Sequence, residues 1–419
     1  MDARPARICL FGNFGNPNIG NDATLQAIAQ RLRLLLPDCE LSCICSDPQK
    51  VTAAHGMEAV PHTVRWRRIW DRRIPLARRV PAAVLGVCEE LREYLRAWKT
   101  LGGAQMLIVP GTGLVTDAFG LSGWGPYGLL KWSLVARLRG CKVVVLSVGA
   151  GPVESTVGRL TVKIALSLAQ YRSYRDLPSK GVVEDAGVRA ARDPVFPDLA
   201  FGLRAGASEP SPPEPKSRRL VALGLMEYVE SYSEAGPMRE TYGRYLESLA
   251  VFVRWLLRHD YDVKLVLGDD DTAVVGDFKD ALRRLVGSYD EARVAYVPAR
   301  SVQELFTQIG EADAVVATRF HNVLMSLLVE KPVIAISFHH KCSSLMREMG
   351  LAAYCQEMGQ MDAYGLISRF QALTQNAPDI RRTVARRIEE SRRALDQQYE
   401  LVFHAGEQRQ SFQPSAVTT

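Results

Sequence analysis

The sequence predicts an α/β protein made of two doubly wound, Rossmann-like halves that face each other across a cleft. Three observations lead there. At 419 residues the chain is too long for one ordinary core. Short apolar runs alternate with helix-period stretches along most of it. A proline-rich break at 204–217, RAGASEPSPPEPKS, interrupts that alternation before it restarts.

The first strand is expected at Ile8 to Phe11. It runs into a loop of glycines and asparagines, Gly12 to Asp22, and then into a helical stretch with apolar residues at Leu25, Ile28, Leu32 and Leu35, stopped by Pro37. Strand, glycine-rich loop and helix form the opening unit of a doubly wound domain, with the loop at the carboxyl end of the strand. Further strands are read at Leu41 to Cys45, Met106 to Val109 and Val143 to Val148. The last two end in glycines, Pro110-Gly111-Thr112-Gly113 and Gly149-Ala150-Gly151-Pro152. Residues 157–170 read as a helix and Arg172 to Arg175 as a short strand. After the break, strands are expected at Leu220 to Leu225, Val263 to Leu267, Arg293 to Val297, Ala314 to Thr318 and Val333 to Phe338. Helices at Glu240 to His259 and Ser301 to Ile309 lie between them, and a charged helix at 379–403 closes the series. The expected division is 1–203, a linker at 204–217, 218–405, and a polar tail at 406–419 without packed structure.

Composition sets limits on function. Hydrophobic residues make up 47% and charged residues 23%, as in folded soluble proteins. The net charge of +6 suits anionic substrates or an anionic surface and is too mild to imply nucleic acid. Part of that charge sits at 62–100, where nine arginines and Lys99 are interleaved with Trp66, Trp70 and Trp98. Two readings stand for this stretch: contact with an anionic membrane surface that presents lipid-linked sugars, or a solvated amphipathic helix pair. Nucleic acid is disfavoured, since no stacking platform or helix-turn-helix accompanies it. The eight cysteines show no zinc-ligand spacing and read as core thiols in a reducing cytoplasm. No apolar run reaches the roughly 18 residues that span a bilayer. The N-terminus lacks a signal-peptide pattern, so the chain is expected to stay in the cytoplasm, at most at the inner face of the plasma membrane.

The candidate chemistry lies in the loops after strands. At 12–22 the glycine spacing departs from the dinucleotide fingerprint. The loop reads either as a turn whose asparagines cap the helix or as a ligand-facing loop, with Asp22 placed to complement the helix dipole. Thr318-Arg319-Phe320-His321-Asn322 stands between a buried-looking strand and a helix. There an arginine can grip an anion and a histidine can exchange protons near neutral pH; a salt-bridged arginine and a capping histidine are the structural alternative. His339-His340-Lys341 follows the next strand, with Lys341 a better anion contact than the two histidines are a metal site. Asp269-Asp270-Asp271 reads as a solvated acidic loop, or less readily as a divalent-metal or sugar-hydroxyl site. Serine-hydrolase, P-loop and HExxH motifs are absent.

Taken in order, several of these pieces resemble the polysaccharide pyruvyl transferase family. Asn18-Ile19-Gly20-Asn21-Asp22 is similar to its opening motif. Pro110-Gly111-Thr112-Gly113-Leu114 is similar to its glycine turn, with Thr112 in place of the middle glycine. Ser147 to Pro152 is similar to its second glycine turn, and Tyr174-Arg175-Asp176 with Ser179, Gly187 and Asp193 to its central stretch. Arg319-Phe320-His321, Lys331 to Ser337 and Lys341 are similar to its C-terminal signature. The resemblance implies a two-Rossmann-domain glycosyltransferase (GT-B) fold. It also implies transfer of pyruvate from phosphoenolpyruvate to a sugar of an exopolysaccharide or cell-wall glycan, as a ketal, with release of phosphate. Phosphoenolpyruvate is then a co-substrate, and no cofactor or metal is expected. The implied donor site is Arg319 and His321, joined by Asn322, Lys341 and Arg175. His321 serves as acid or base, and Asp176 or Asp22 as base for the acceptor hydroxyl. Asn18, Gly20, Gly111 and Gly113 form the acceptor-side loops. A nucleotide-sugar glycosyltransferase of the same architecture and a non-catalytic member of a synthesis complex are the alternatives.

Overall fold

The structure, a computed structural model, describes residues 6–62, 76–117, 125–204, 218–227, 238–270 and 272–403. Most of the proline-rich break, the stretch 63–75 with Trp66 and Trp70, Asp271 and the expected polar tail lie outside the described residues. The chain divides into two compact units. One comprises the residues up to Gly12, Ile28–Gly202 and the chain from Glu389; the other comprises Asn13–Ala27 and Leu203–Ile388.

The first unit holds strands β1 (Arg7–Phe11), β2 (Glu40–Cys45), β3 (Glu58–Pro61), β4 (Met106–Pro110), β5 (Lys142–Val148) and β6 (Tyr171–Tyr174). They form one sheet in the order β3-β2-β1-β4-β5-β6, with every neighbour parallel. A parallel sheet is covered on both faces, so its strands are continuous apolar runs, such as MLIVP in β4 and KVVVLSV in β5. Helices α1 (Ile19–Leu35), α2 (Pro48–His55), α3 (Leu76–Thr100), α4 (Gly125–Leu138), α5 (Thr156–Ser167) and α6 (Leu177–Asp185) connect them. Their ends follow from local chemistry. In α2, the Asp47 carboxylate accepts from the Gln49 and Lys50 amides, Pro48 opens the helix, and Gly56 closes it at φ +63°. The core is a continuous cluster that includes Phe11, Leu107, Val109, Trp132, Val145 and Tyr174.

In the second unit β7 (Arg219–Gly224), β8 (Tyr261–Val266), β9 (Val294–Tyr296), β10 (Ala314–Ala317), β11 (Val333–Ser337) and β12 (Cys355–Glu357) pair in the order β12-β11-β10-β7-β8-β9, again all parallel. Counted from β7, this is the order of the first sheet, and both are the doubly wound Rossmann order. Its helices are α7 (Met238–Arg258), α8 (Thr272–Val286), α9 (Val302–Gly310), α10 (Phe320–Leu328), α11 (His340–Glu348) and α12 (Ala363–Gln375), and α13 (Ala377–Phe403) ends the described chain.

Two boundaries differ from the expected division. The segment Asn13–Ala27 groups with the second unit, and α13 passes from the second unit to the first at Glu389. The reason is visible in the contacts of its last turns. Gln398 Nε2 donates to Ser173 Oγ at 2.6 Å and to Ser147 Oγ at 3.1 Å, and Lys142 Nζ donates to the Val402 carbonyl at 3.1 Å. Asp396 pairs with Arg31 at 2.6 Å. Ser147 itself sits at φ +46°, where the pairing of β5 with β6 shifts register. Five cysteines, Cys9, Cys43, Cys45, Cys141 and Cys342, are buried, and Cys88 is exposed. Among the described residues no helix is long and apolar enough to cross a membrane.

Candidate functional site

In a doubly wound sheet, ligands bind outside the carboxyl ends of the strands, where the strand order reverses. In the second unit that point lies between β7 and β10. Four turns meet there: Gly224 at the end of β7, Gly268-Asp269 after β8, Thr318 to Asn322 after β10, and Ser337 to Lys341 after β11. The segment Asn13–Ala27 joins this rim, because the Ile19 amide donates to the Gly268 carbonyl at 3.0 Å.

Asp269 ties these turns together. Its Oδ2 accepts from Asn18 Nδ2 at 3.0 Å and pairs with Arg319 Nη1 at 3.0 Å, while its Oδ1 accepts from the Asp270 amide. Arg319 is mostly buried and stands at the N-cap of α10, where its own side chain makes no capping bond. The acidic loop is therefore a structural partner of the arginine and not merely solvated. Asn18 fits the capping reading, with its Oδ1 accepting from the Gly20 amide at 3.0 Å, while its amide nitrogen donates to Asp269. Asp22 closes the same loop by accepting from the Gly15 amide at 3.0 Å, and Gly15 adopts φ +75°.

Gly20 and His321 are in direct contact. A Cβ built on Gly20 would lie 1.8 Å from His321 Nδ1, so only glycine leaves the imidazole its place. Asn322 is packed in the same way. It is fully buried, neither of its amide atoms has a hydrogen-bond partner, and Cβ atoms on Gly224 or Gly268 would press on it at 3.1 and 2.4 Å. Behind them, Thr318 Oγ1 and the Tyr245 hydroxyl share a buried hydrogen bond of 2.9 Å. Lys341 opens the neighbouring helix, where its amide donates to His339 Nδ1 at 3.3 Å, and the His339 and His340 rings lie 4.0 Å apart. Among the described residues no group of three or more His, Cys, Asp or Glu is placed to hold a metal ion.

The structure thus brings together Asn18, Gly20, Asp22, Arg319, His321, Asn322 and Lys341 in the second unit. The remaining candidates belong to the first. Arg175 is buried there and pairs with Asp198 at 3.0 Å and with Asp176 at 3.4 Å. Burial opposes its charge, but Asp198 and Asp176 outweigh that and hold its pKa above the ordinary value. Asp176 Oδ1 caps α6 by accepting from the Ser179 amide at 2.7 Å. With one oxygen on that cap and the other on Arg175, Asp176 has a structural task in the fold. Gly111, at φ +22°, donates its amide to the Leu146 carbonyl at 2.8 Å, and Gly113 is exposed. Both lie at the carboxyl edge of the first sheet, after β4, beside that sheet's own reversal between β1 and β4. Asp269 as the arginine's partner, and Gly224 and Gly268 as the floor under Asn322, were not read from the sequence. An acidic residue or a glycine immediately after a strand was the available signal.

Comparison with known proteins adds three findings. Residues 18–340 match the family model for polysaccharide pyruvyl transferases. A stretch of 77 residues is 26% identical to the amylovoran biosynthesis protein AmsJ of Erwinia amylovora; it covers 18% of this chain and 19% of that protein. Among solved structures, a UDP-N-acetylglucosamine 2-epimerase superposes with a TM-score of 0.58 at 14% identity, covering 99% of this chain and 100% of that one. A glycosyltransferase from Rickettsia africae superposes with a TM-score of 0.56 at 10% identity, covering 96% and 99%. At such identities these likenesses establish the fold, which is that of the GT-B glycosyltransferases and epimerases.

Proposed function

Because the chain belongs to the polysaccharide pyruvyl transferase family, we propose that it transfers the pyruvyl group of phosphoenolpyruvate to a glycan sugar as a ketal, releasing inorganic phosphate. The acceptor class is a sugar of an exopolysaccharide or cell-wall glycan, a reading supported by the likeness to a protein of amylovoran biosynthesis. The observation that carries the proposal is the convergence of Arg319, held by Asp269, and His321, seated on Gly20, at the strand-order reversal of the second sheet.

The chemistry asks for those groups. A proton added to the methylene carbon of phosphoenolpyruvate leaves a cationic centre at the adjacent carbon. One sugar hydroxyl attacks it, phosphate departs with the electrons of the C–O bond, and a second hydroxyl closes the ketal. The donor carries both a carboxylate and a phosphate, so a fixed arginine at a helix N-terminus supplies charge where the anion sits. Arg319 fills that role, with Lys341 as second cation. His321 is the proton donor to the methylene carbon, a task imidazole side chains perform as general acids. Asn322, buried in the turn that presents both residues, packs tightly against Gly224 and Gly268.

Incubation of the purified chain with phosphoenolpyruvate, with UDP-sugars and with a lipid-linked glycan separates the readings. Phosphate released from phosphoenolpyruvate only when the glycan is present supports the proposal. Nucleoside diphosphate released from a sugar nucleotide replaces it with glycosyl transfer, and no turnover of either donor replaces it with a non-catalytic role.

A further inference from the structure

Helix α3 is built inside out. Between Leu85 and Thr100 its buried positions are Gly86, Glu90, Glu93 and Ala97, so two carboxylates face the body of the unit. Glu90 receives Lys131 Nζ at 3.0 Å and the Tyr127 hydroxyl at 2.8 Å, both from α4, which satisfies its buried charge. The opposite side carries Leu85, Leu91, Leu95 and Trp98 toward solvent, with exposures from 42% at Trp98 to 64% at Leu85. At 100° per residue Leu91, Leu95 and Trp98 fall on one stripe about 60° wide, turned away from the inward glutamates, with Leu85 about 80° round from it. An ordinary surface helix has the reverse arrangement.

A second helix repeats the pattern. In α5, Gly158, Val162, Ala165 and Leu166 are buried, while Val157, Leu160 and Ile164 are exposed along one line. Helices α3, α4 and α5 join successive parallel strands stepping one way along the sheet. Right-handed crossovers therefore place all three on one face, and α4 packs between the other two. Among the described residues of these three helices the exposed charges have one sign, Arg92, Arg96, Lys99, Arg137, Arg159 and Lys163, while the exposed Glu154 lies in the turn before α5. Its acidic residues, Glu89, Glu90 and Glu93, are buried or half-buried. Arg139 lies over the Trp98 ring at 4.8 Å, at the border of the apolar stripe.

From this we infer that the α3–α5 face is a docking surface for an anionic phospholipid membrane. Two apolar rows rimmed by cations and a tryptophan match the boundary between acyl chains and negatively charged headgroups. A second copy of the chain fits less well. A two-fold contact through this face would set like charges against each other, with no acidic side chains exposed on these helices to offset them. The inference rests on this surface alone and stands apart from the choice of donor.

The test is flotation of the purified full-length chain with vesicles of equal parts phosphatidylcholine and phosphatidylglycerol, and with vesicles of phosphatidylcholine alone. The chain is expected to float with the anionic vesicles, to be released by salt, and to stay behind with the neutral ones. The double variant L91S/L95S is expected to lose roughly tenfold or more of that binding, with an unchanged melting temperature because both side chains are exposed. The charge variant R92Q/K99Q, which leaves the apolar stripe intact, is expected to lower binding at low salt in the same direction. Failure of the wild-type chain to float overturns the inference, as does equal binding by L91S/L95S. A dimer that L91S/L95S converts to monomer, with vesicle binding unaltered, overturns it in favour of self-association.

Discussion

At the scale of single residues, the site depends on contacts too close to tolerate an added atom. Gly20→Ala puts a methyl group where His321 Nδ1 lies, 1.8 Å away, so the imidazole must swing aside. Displacement of a reacting group by about 1 Å can cost roughly a hundredfold in rate. We expect that loss in kcat, with little change in melting temperature, when phosphate release from phosphoenolpyruvate is followed. Asp269→Asn keeps the shape but removes the charge that holds Arg319. Its expected effect is a KM for phosphoenolpyruvate raised about tenfold with kcat reduced less, the pattern of weakened ground-state binding; an unchanged KM would contradict the role given to Asp269. Asp198→Ala should act on stability instead. It removes the nearer of the two carboxylates paired with the buried Arg175, and loss of one side of a buried pair costs about 3 kcal/mol, measurable as a lower urea midpoint. Much of this scale was open to the sequence, since Arg319, His321, Gly20 and Asn18 each stood out beside a strand end. Their mutual contacts were not, because Asn18 and Asp269 lie 251 residues apart and no spacing rule links them.

Among elements, the long parallel strands were legible because burial on both faces makes them unbroken apolar runs. The edge strands β3 and β12 were not: β3 reads EAVP and has no fully buried residue, and β12 spans three residues. The last helix was found, but its allegiance was not, since that is set by Gln398 meeting Ser147 and Ser173 far back in the chain. The loop after β4 offers a pH test at this scale. Burial raises the Asp117 pKa, but the Ser155 hydroxyl and the Ser155 and Glu154 amides, all donating to its carboxylate, outweigh burial and set it below the usual value. A depressed carboxylate contributes stability that is present above its unfolded pKa of about 3.9 and lost as pH falls through the folded value. The melting temperature of the wild-type chain should therefore drop more steeply below about pH 4 than that of Asp117→Asn. Parallel curves would show that the clasp contributes nothing.

At the scale of the whole molecule, two sheets of identical strand order, a family match over 18–340 and a rim of arginine, histidine and glycine in the second unit support one account. The ordered motifs make the family readable in the sequence, because each sits in a strand-end turn where only certain residues fit. In the proposed reaction, His321 delivers a proton to the methylene carbon of phosphoenolpyruvate before the sugar attacks. Running the reaction in deuterium oxide and examining the glycan product by mass spectrometry and NMR tests this directly. The account predicts a pyruvyl ketal whose methyl group carries one solvent deuteron, formed together with inorganic phosphate and lost in His321→Ala. An enolpyruvyl ether that keeps the methylene and carries no solvent deuteron would contradict it, and so would a His321→Ala chain that turns over at the wild-type rate.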